Sequence, residues 1–378
     1  MEISTTQHTN YGAIDEHTSL IQENKQLASN YDTFLSICCI IMGTGILQLP
    51  STLKEGGWVG LVYIILAGIL SNYTGILTVK CLYTEHGERL GTLADSGRAA
   101  FGDIGYTLTN EFKKYSLLAA GAIFILLAGI NFNSLAVTLF DLQPNLTLCL
   151  KKRLGSDFEY PPTTIIRIFG FPVSFSSICF AFGGNLLWPE IEMGMKYPKS
   201  FNAVLSASNA AVTILYLLVA ASAYSVFGNN VTSPVLLDFT ASFVLTLAYL
   251  FITAHVVLTA PLLLIGAAND WAKDLSNKFY PDGGWSTLHR NILRLLMVAF
   301  SVATVLVVPN FEKLVAFFSS LTSALLIFVI PAVFYIKIYR SRINFGILDY
   351  AWLYFIIFVG AFCFIFGSYL SGIDLIYG

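Results

Sequence analysis

Charge is scarce in this sequence. Of 378 residues only 12% are Asp, Glu, Lys or Arg, against roughly 25% in soluble domains, which excludes an ordinary water-soluble globule. The formal net charge is −2, and no basic block marks a nucleic-acid partner. Cysteine is sparse and scattered. Cys38, Cys39, Cys81, Cys149, Cys179 and Cys363 form no C-x-x-C, and five of the six lie in or near apolar runs. They read as small apolar residues, not as a disulfide or zinc framework. The signatures G-x-x-x-x-G-K-[ST], H-E-x-x-H and G-x-S-x-G are all missing, so neither an enzyme, nor a metal, nor a bound cofactor is expected. The first thirty residues are polar, and no cleavable signal peptide is expected there. They show no apolar face either, and read as a disordered tail, with the membrane domain over 31–378.

Apolar residues are abundant, at 56%. A membrane-spanning helix needs about 20 of them in succession, and the runs near 33–53, 57–82, 115–140, 172–195, 202–227, 239–268, 292–308, 314–336 and 350–371 predict nine spans. The expected class is therefore an all-α polytopic membrane protein embedded in lipid. The polar interval 83–114 contains Thr92–Phe101, which predicts a short interfacial helix. With the N-terminus inside, 15 of the 21 Lys and Arg residues fall on the cytosolic side, the bias that sets membrane orientation. The sequons Asn145-Leu146-Thr147 and Asn230-Val231-Thr232 then lie on the opposite side, where glycosylation occurs.

Two of the spans carry residues that a helix interior does not favour. The first contains Met42-Gly43-Thr44-Gly45-Ile46-Leu47-Gln48-Leu49-Pro50. Each Gly costs about 1 kcal/mol against Ala and Pro about 3, and a freed backbone group costs several kcal/mol more in lipid. Such a break lines a polar cavity or, alternatively, lets two helices pack closely. The fourth span repeats the pattern in Phe180-Ala181-Phe182-Gly183-Gly184-Asn185-Leu186-Leu187-Trp188-Pro189-Glu190. Interrupted segments at corresponding places in two halves are the pointer to a transporter site. The pair therefore favours substrate binding by Gly43, Thr44, Gly45, Ile46, Phe182, Gly183, Gly184 and Asn185. Free N–H groups near Gly43–Gly45 would take the carboxylate of an amino acid, and free carbonyls near Gly183 and Gly184 its ammonium. No nucleotide motif is present, so H+, Na+ or the substrate's own gradient must drive movement.

Ionisable residues inside a membrane cost about 2.5–3.5 kcal/mol on insertion scales and point to function. His255 lies mid-span and could relay a proton, the alternative being a histidine hydrogen-bonded between helices. Glu190 and Glu192 could carry a proton, or pair with Lys196 or Lys199. Thr253 and Thr259 are weaker candidates. Asn131 and Asn133 either line a polar path or join helices.

Gly43-Thr44-Gly45-Ile46-Leu47-Gln48-Leu49-Pro50 followed by Gly56-Gly57-Trp58-Val59-Gly60 resembles the first-helix signature of the amino acid/auxin permease family. Its nearest branch holds the vacuolar amino acid transporters and the vesicular inhibitory amino acid transporter. Phe182-Gly183-Gly184-Asn185, Pro189-Glu190-Ile191-Glu192 and Met195-Lys196-Tyr197-Pro198-Lys199-Ser200-Phe201 are similar to its sixth-helix block. The resemblance covers about 31–371 and implies eleven spans, a LeuT-like inverted-repeat core and amino acid movement across vacuolar or plasma membranes, often proton-coupled. The chain departs from the pattern twice. Asn185 stands where the family usually has His, and fewer than forty residues separate Phe140 from Cys179, too few for the family's fourth and fifth helices. The expected function is thus a secondary amino acid transporter of a vacuolar or endolysosomal membrane with an incomplete first repeat. The rivals are a non-transporting amino acid sensor and an inactive truncated form. Tyr11-Gly12-Ala13-Ile14 and Glu16-His17-Thr18-Ser19-Leu20-Ile21 resemble sorting signals that trafficking adaptors read.

Overall fold

A chain segment in hydrocarbon has no water to satisfy its backbone, so it closes its hydrogen bonds internally as helix. The computed structural model has that form. It describes residues 27–83, 89–140, 161–239, 242–280, 286–340 and 345–377, and among them the only extended pairings are two isolated bridges. Eight helices are long and apolar enough to cross a membrane. The remaining expected span, near 172–195, is present as two short helices flanking a break. The chain is a polytopic all-α membrane protein.

The first crossing is α1 (Asn30–Ile41), a 3-10 turn (Thr44–Gln48) and α2 (Leu49–Gly56). The second and third are α3 (Gly60–Lys80) and α4 (Leu93–Phe140). The fourth is α5 (Phe171–Ala181) with α6 (Trp188–Met193). Then come α7 (Phe201–Phe227), α8 (Phe243–Phe279), α9 (Thr287–Val307), α10 (Phe311–Tyr339) and α11 (Ile347–Tyr377). Successive crossings alternate in direction, giving the bundle a tail end, where α1 begins, and an opposite end. The first three crossings pack on the next three in turn, α2 on α5, α3 on α7 and α4 on α8. Two inverted repeats related by an axis in the membrane plane would pair in this order.

The interfacial helix expected at Thr92–Phe101 is the opening of α4. Thr92 and Asp95 cap it reciprocally (Asp95 N–H to Thr92 Oγ1, 3.2 Å; Thr92 N–H to Asp95 Oδ2, 2.9 Å). The helix then breaks at Phe101–Gly102, where Gly102 takes φ 65°. Beyond the break α4 runs antiparallel to α8. Near the tail end their seam is polar: Lys113 pairs with Asp270 at 3.2 Å, and Asn110 donates to Asp274 at 3.0 Å. The fully buried Lys114 is held by both Glu111 and Asp274. A buried ammonium is tolerated only when paired in this way. Further along, the seam turns apolar, with Gly121 against Leu264. The outward faces carry Leu250, Phe251, Leu258 and Leu262 of α8 and Leu295 and Leu306 of α9, a surface suited to lipid.

Two segments tie the ends together. Residues 161–167 cross the opposite end as a strap. The carbonyls of Thr164 and Ile165 accept from the N–H groups of Trp58 (3.0 Å) and Val59 (3.1 Å), and Arg167 N–H donates to Gly56 O at 3.1 Å. At the tail end Ala28 bridges to the loop after α6, its N–H donating to Gly194 O and its carbonyl accepting from Lys196 N–H, both at 2.9 Å. Residues 28–30 of the expected tail are therefore fixed to the bundle. Tyr11–Ile14, Glu16–Ile21, Cys149 and the Asn145 sequon lie outside the described residues.

Candidate binding site at two broken helices

Both breaks have the same construction. Glycine lets the helix end, and proline restarts it: Pro50 and Pro189 each occupy the first turn of the new helix, α2 and α6. There the missing N–H removes nothing the helix needs. The helix ends left behind are satisfied from a third element. The fully buried Tyr216 of α7 directs its hydroxyl at both Ile41 O and Ala181 O. These are the last carbonyls of α1 and α5, which have no partner within their own helices. The two breaks also touch. A Cβ on Gly45 would lie 2.5 Å from Ala181 Cα, so only glycine permits this approach. Close packing and an open backbone, set out as alternatives from the sequence, are both present.

A cavity of about 370 Å3 opens where the breaks meet. Gly43, Thr44 and Gly45 line one side, Gly183 and Asn185 another, and Phe124, His255 and Thr259 face them from α4 and α8. Among the described residues no backbone carbonyl accepts from the N–H groups of Gly43, Thr44 and Gly45, because a 3-10 turn leaves its opening N–H groups unpaired. The hydroxyl of Thr44, a residue 4% exposed, also has no partner among the described residues. Three N–H groups and a hydroxyl on residues that line the cavity are therefore without a protein acceptor among the described residues. Lys, Arg, Asp and Glu are absent from the lining, so a zwitterion here meets dipoles, not charges. The interaction of one helix end with a charge is about 0.3–1 kcal/mol, so several such donors must act together.

Not every expected residue faces this space. Ile46, Phe182 and Gly184 do not line the cavity. Phe182 is buried with its ring 5.1 Å from that of Tyr216. Gly184 lies beneath Trp188, whose ring a Cβ would meet at 2.2 Å. The carbonyl of Gly184 accepts from Leu187 N–H at 2.9 Å, so of the glycine pair only Gly183 keeps a carbonyl for a ligand. Asn185 does line the cavity, yet its carboxamide is committed. It accepts from Trp188 Nε1 (2.9 Å) and donates to Ile327 O (3.1 Å). Asn185 holds the second break to α10.

The ionisable candidates separate in the same way. His255 lies exposed at the cavity mouth, its ring 6.3 Å from Phe124, and no hydrogen bond joins it to another helix. Thr259 lines the cavity and donates to His255 O at 2.7 Å. Thr253 and Asn131 are buried in the α4–α8 region without partners, away from the cavity, and Asn133 is exposed. The alternative that paired Glu190 or Glu192 with Lys196 or Lys199 is corrected. Glu192, 1% exposed, takes Arg89 Nε at 2.8 Å and the Tyr83 hydroxyl, while Arg89 also reaches Pro189 O. An arginine fork matches a carboxylate better than a lysine point charge does, and the loop before α4 brings it within reach. Glu190 lines a separate polar cavity of about 190 Å3 at the tail end, with Lys113, Asp270 and Asp274, and Leu186 borders both cavities.

Sequence reasoning placed the span of α10 but missed its part in the site. Two π-helical turns, Ser319–Ser323 and Leu325–Val329, interrupt it beside the breaks, and Ser323, Leu326 and Ile327 line the cavity. Such turns recur at functional sites; neither contains Gly or Pro, and Pro331 follows two residues after the second.

Comparison with known proteins agrees with this architecture. The family model described as transmembrane amino acid transporter protein matches residues 27–154 and 147–372. The two matched pieces overlap at residues 147–154. Amino acid transporter AVT1B of Arabidopsis thaliana is 26% identical over 377 residues, covering 87% of this chain and 68% of that protein. The vesicular inhibitory amino acid transporter of Xenopus tropicalis is 26% identical over 361 residues, with 80% and 69% covered. Its counterpart in Mus musculus is 25% identical over 355 residues, with 79% and 67% covered. With two facing helix breaks, an all-α bundle and a family match running through both, the chain belongs to the transmembrane amino acid transporter protein family.

Proposed function

We propose that this chain is a secondary active transporter that holds amino acids between its two broken helices and moves them across a vacuolar or endolysosomal membrane. The observation that carries the reading is the cavity at Gly43–Gly45, where three N–H groups and the Thr44 hydroxyl lack protein partners among the described residues. The substrate carboxylate binds these donors, and its ammonium binds the Gly183 carbonyl. The coupling ion is H+, carried nearest the substrate by His255, the one side chain of Asp, Glu, His, Lys or Arg type among the described residues that line the cavity. A neutral imidazole gains a proton near physiological pH.

The tail end is cytosolic in this reading. Lys80, Arg89, Arg98, Lys113 and Lys114 gather there, and Asn230 is exposed on the turn closing α7 at the opposite end. Adaptors recognise Tyr11–Ile14 and Glu16–Ile21. Replacing Tyr11, Leu20 and Ile21 with Ala sends the protein to the cell surface, and unchanged localisation in microscopy would remove that role.

The decisive test is uptake of labelled amino acids into proteoliposomes containing the full chain, with and without an imposed proton gradient and with Na+ exchanged for choline. Gradient-dependent uptake supports the proposal. Binding without flux would replace the transporter with a sensor, a reading that the two missing helices bring within range.

A further inference from the structure

A second large cavity shares no lining residue with the substrate site. It is a vestibule of about 710 Å3 at the opposite end, lined by α2, α5, the start of α10 and the end of α11. Its floor is Gln48, whose Nε2 donates to Ser177 O at 2.8 Å. Gln48 ends the same 3-10 turn that begins at Thr44 in the substrate cavity. One turn of backbone therefore separates the two spaces, and it is continuous with α2.

The vestibule holds a carboxylate in an unusual setting. Glu312, in the first turn of α10, has a side chain 29% exposed, and its one ion pair among the described residues is with Lys54 of α2 at 3.8 Å. That separation is too long for a hydrogen bond. Other titratable groups face the same space. Glu55 on α2 and Arg167 on the strap before α5 form no ion pair among the described residues, and Lys313 beside Glu312 is engaged by Asp374 of α11 at 3.5 Å. The walls from α5 and the 3-10 turn contribute Ser174, Ser177 and Gln48, none of which titrates.

We propose that Glu312 is the proton-binding site of the outer vestibule, and that its ion pair with Lys54 latches α2 against α10. The inference rests on the transport reading for its purpose. When the opposite side is acidified, a proton from water adds to the Glu312 carboxylate and gives the neutral acid. Lys54 then loses its partner, and α2, with the turn that ends at Gln48, is released from α10. The barrier above the substrate moves with it. Loss of the proton restores the latch. Glu312 acts as a positioning residue, because it lies outside the substrate cavity.

The test uses full-length protein in proteoliposomes, with Ser51→Cys as a reporter in the vestibule and the chain without that substitution as the blank. A membrane-impermeant maleimide is added to the vestibule side. Acidification should speed alkylation by about two- to fivefold, the scale of an ion pair at this exposure. Glu312→Gln should give the fast rate at every pH, and so should Lys54→Met, which serves if the first variant fails to fold. Stimulation of uptake by a proton gradient should be lost in both. A wild-type rate that ignores pH, or a Glu312→Gln chain that keeps the wild-type pH response, overturns the latch. Absence of wild-type uptake overturns the transport reading without touching the alkylation result, so each can fail separately.

Discussion

Gly45 offers a graded test of whether the contact between the two breaks matters to transport. A Cβ there would sit 2.5 Å from Ala181 Cα and 2.7 Å from its Cβ, where ordinary contact begins at 3.4 Å. The breaks must part by about 1 Å to admit one methyl group. Overpacking of this kind costs about 1–3 kcal/mol, which converts to a loss of about 5- to 160-fold in the competent population. Gly45→Ala should therefore cut initial uptake into that range, and the bulkier Gly45→Val should abolish it. Neither change makes the span less apolar, so both proteins should still insert in the membrane. The control is Gly129 of α4, outside the cavity. A Cβ there has no neighbour within 4 Å, so Gly129→Ala should stay within about twofold of wild type. The assay is initial-rate uptake normalised to reconstituted protein. Wild-type rates in Gly45→Ala, or an equal loss in Gly129→Ala, would show that the close approach is not what the glycine is for.

Further outcomes follow from the same geometry. Thr44→Val removes a hydroxyl that no protein group uses, so thermal stability should hold while substrate affinity falls about 2- to 13-fold, the value of one hydrogen bond; unchanged affinity would take Thr44 out of the site. Arg89→Ala strands the buried Glu192 carboxylate, which should destabilise the detergent-solubilised protein by about 3–5 kcal/mol, and adding Glu192→Leu should recover most of it. A stable single variant would contradict that pairing. His255→Ala should flatten the pH profile of uptake, whereas an unaltered profile would leave His255 as cavity wall alone.

The parts of this molecule legible in the sequence are those whose cause is local. A Gly–Pro break inside an apolar run has its energy penalty written within ten residues, so both interruptions and the seven other spans could be read directly. The shortness of the stretch between Phe140 and Cys179 was legible from length alone. What stayed hidden depends on register between distant segments. Glu192 meets Arg89 across 103 positions of sequence, and Asn185 meets Ile327 across 142, so the partner of a buried acid and the use of a cavity-lining amide could not be inferred. The π-helical turns of α10 contain no Gly or Pro themselves, and their local mark is Pro331, two residues beyond the second turn. Glu312 was passed over because a glutamate in the first turn of a helix is commonplace; only the vestibule around it sets it apart.

The Tyr216 hydroxyl has one hydrogen and is aimed at two carbonyls, one ending α1 and one ending α5. A single proton cannot bond fully to both, so the two half-helices share one anchor on α7 where each could have had its own. Such an arrangement is a common pivot. A displacement of one half-helix draws the proton away from the other, and the two carbonyls exchange it as they move. Phenylalanine at this position would keep the ring and the packing but free both carbonyls at once, turning one joint into two that swing independently.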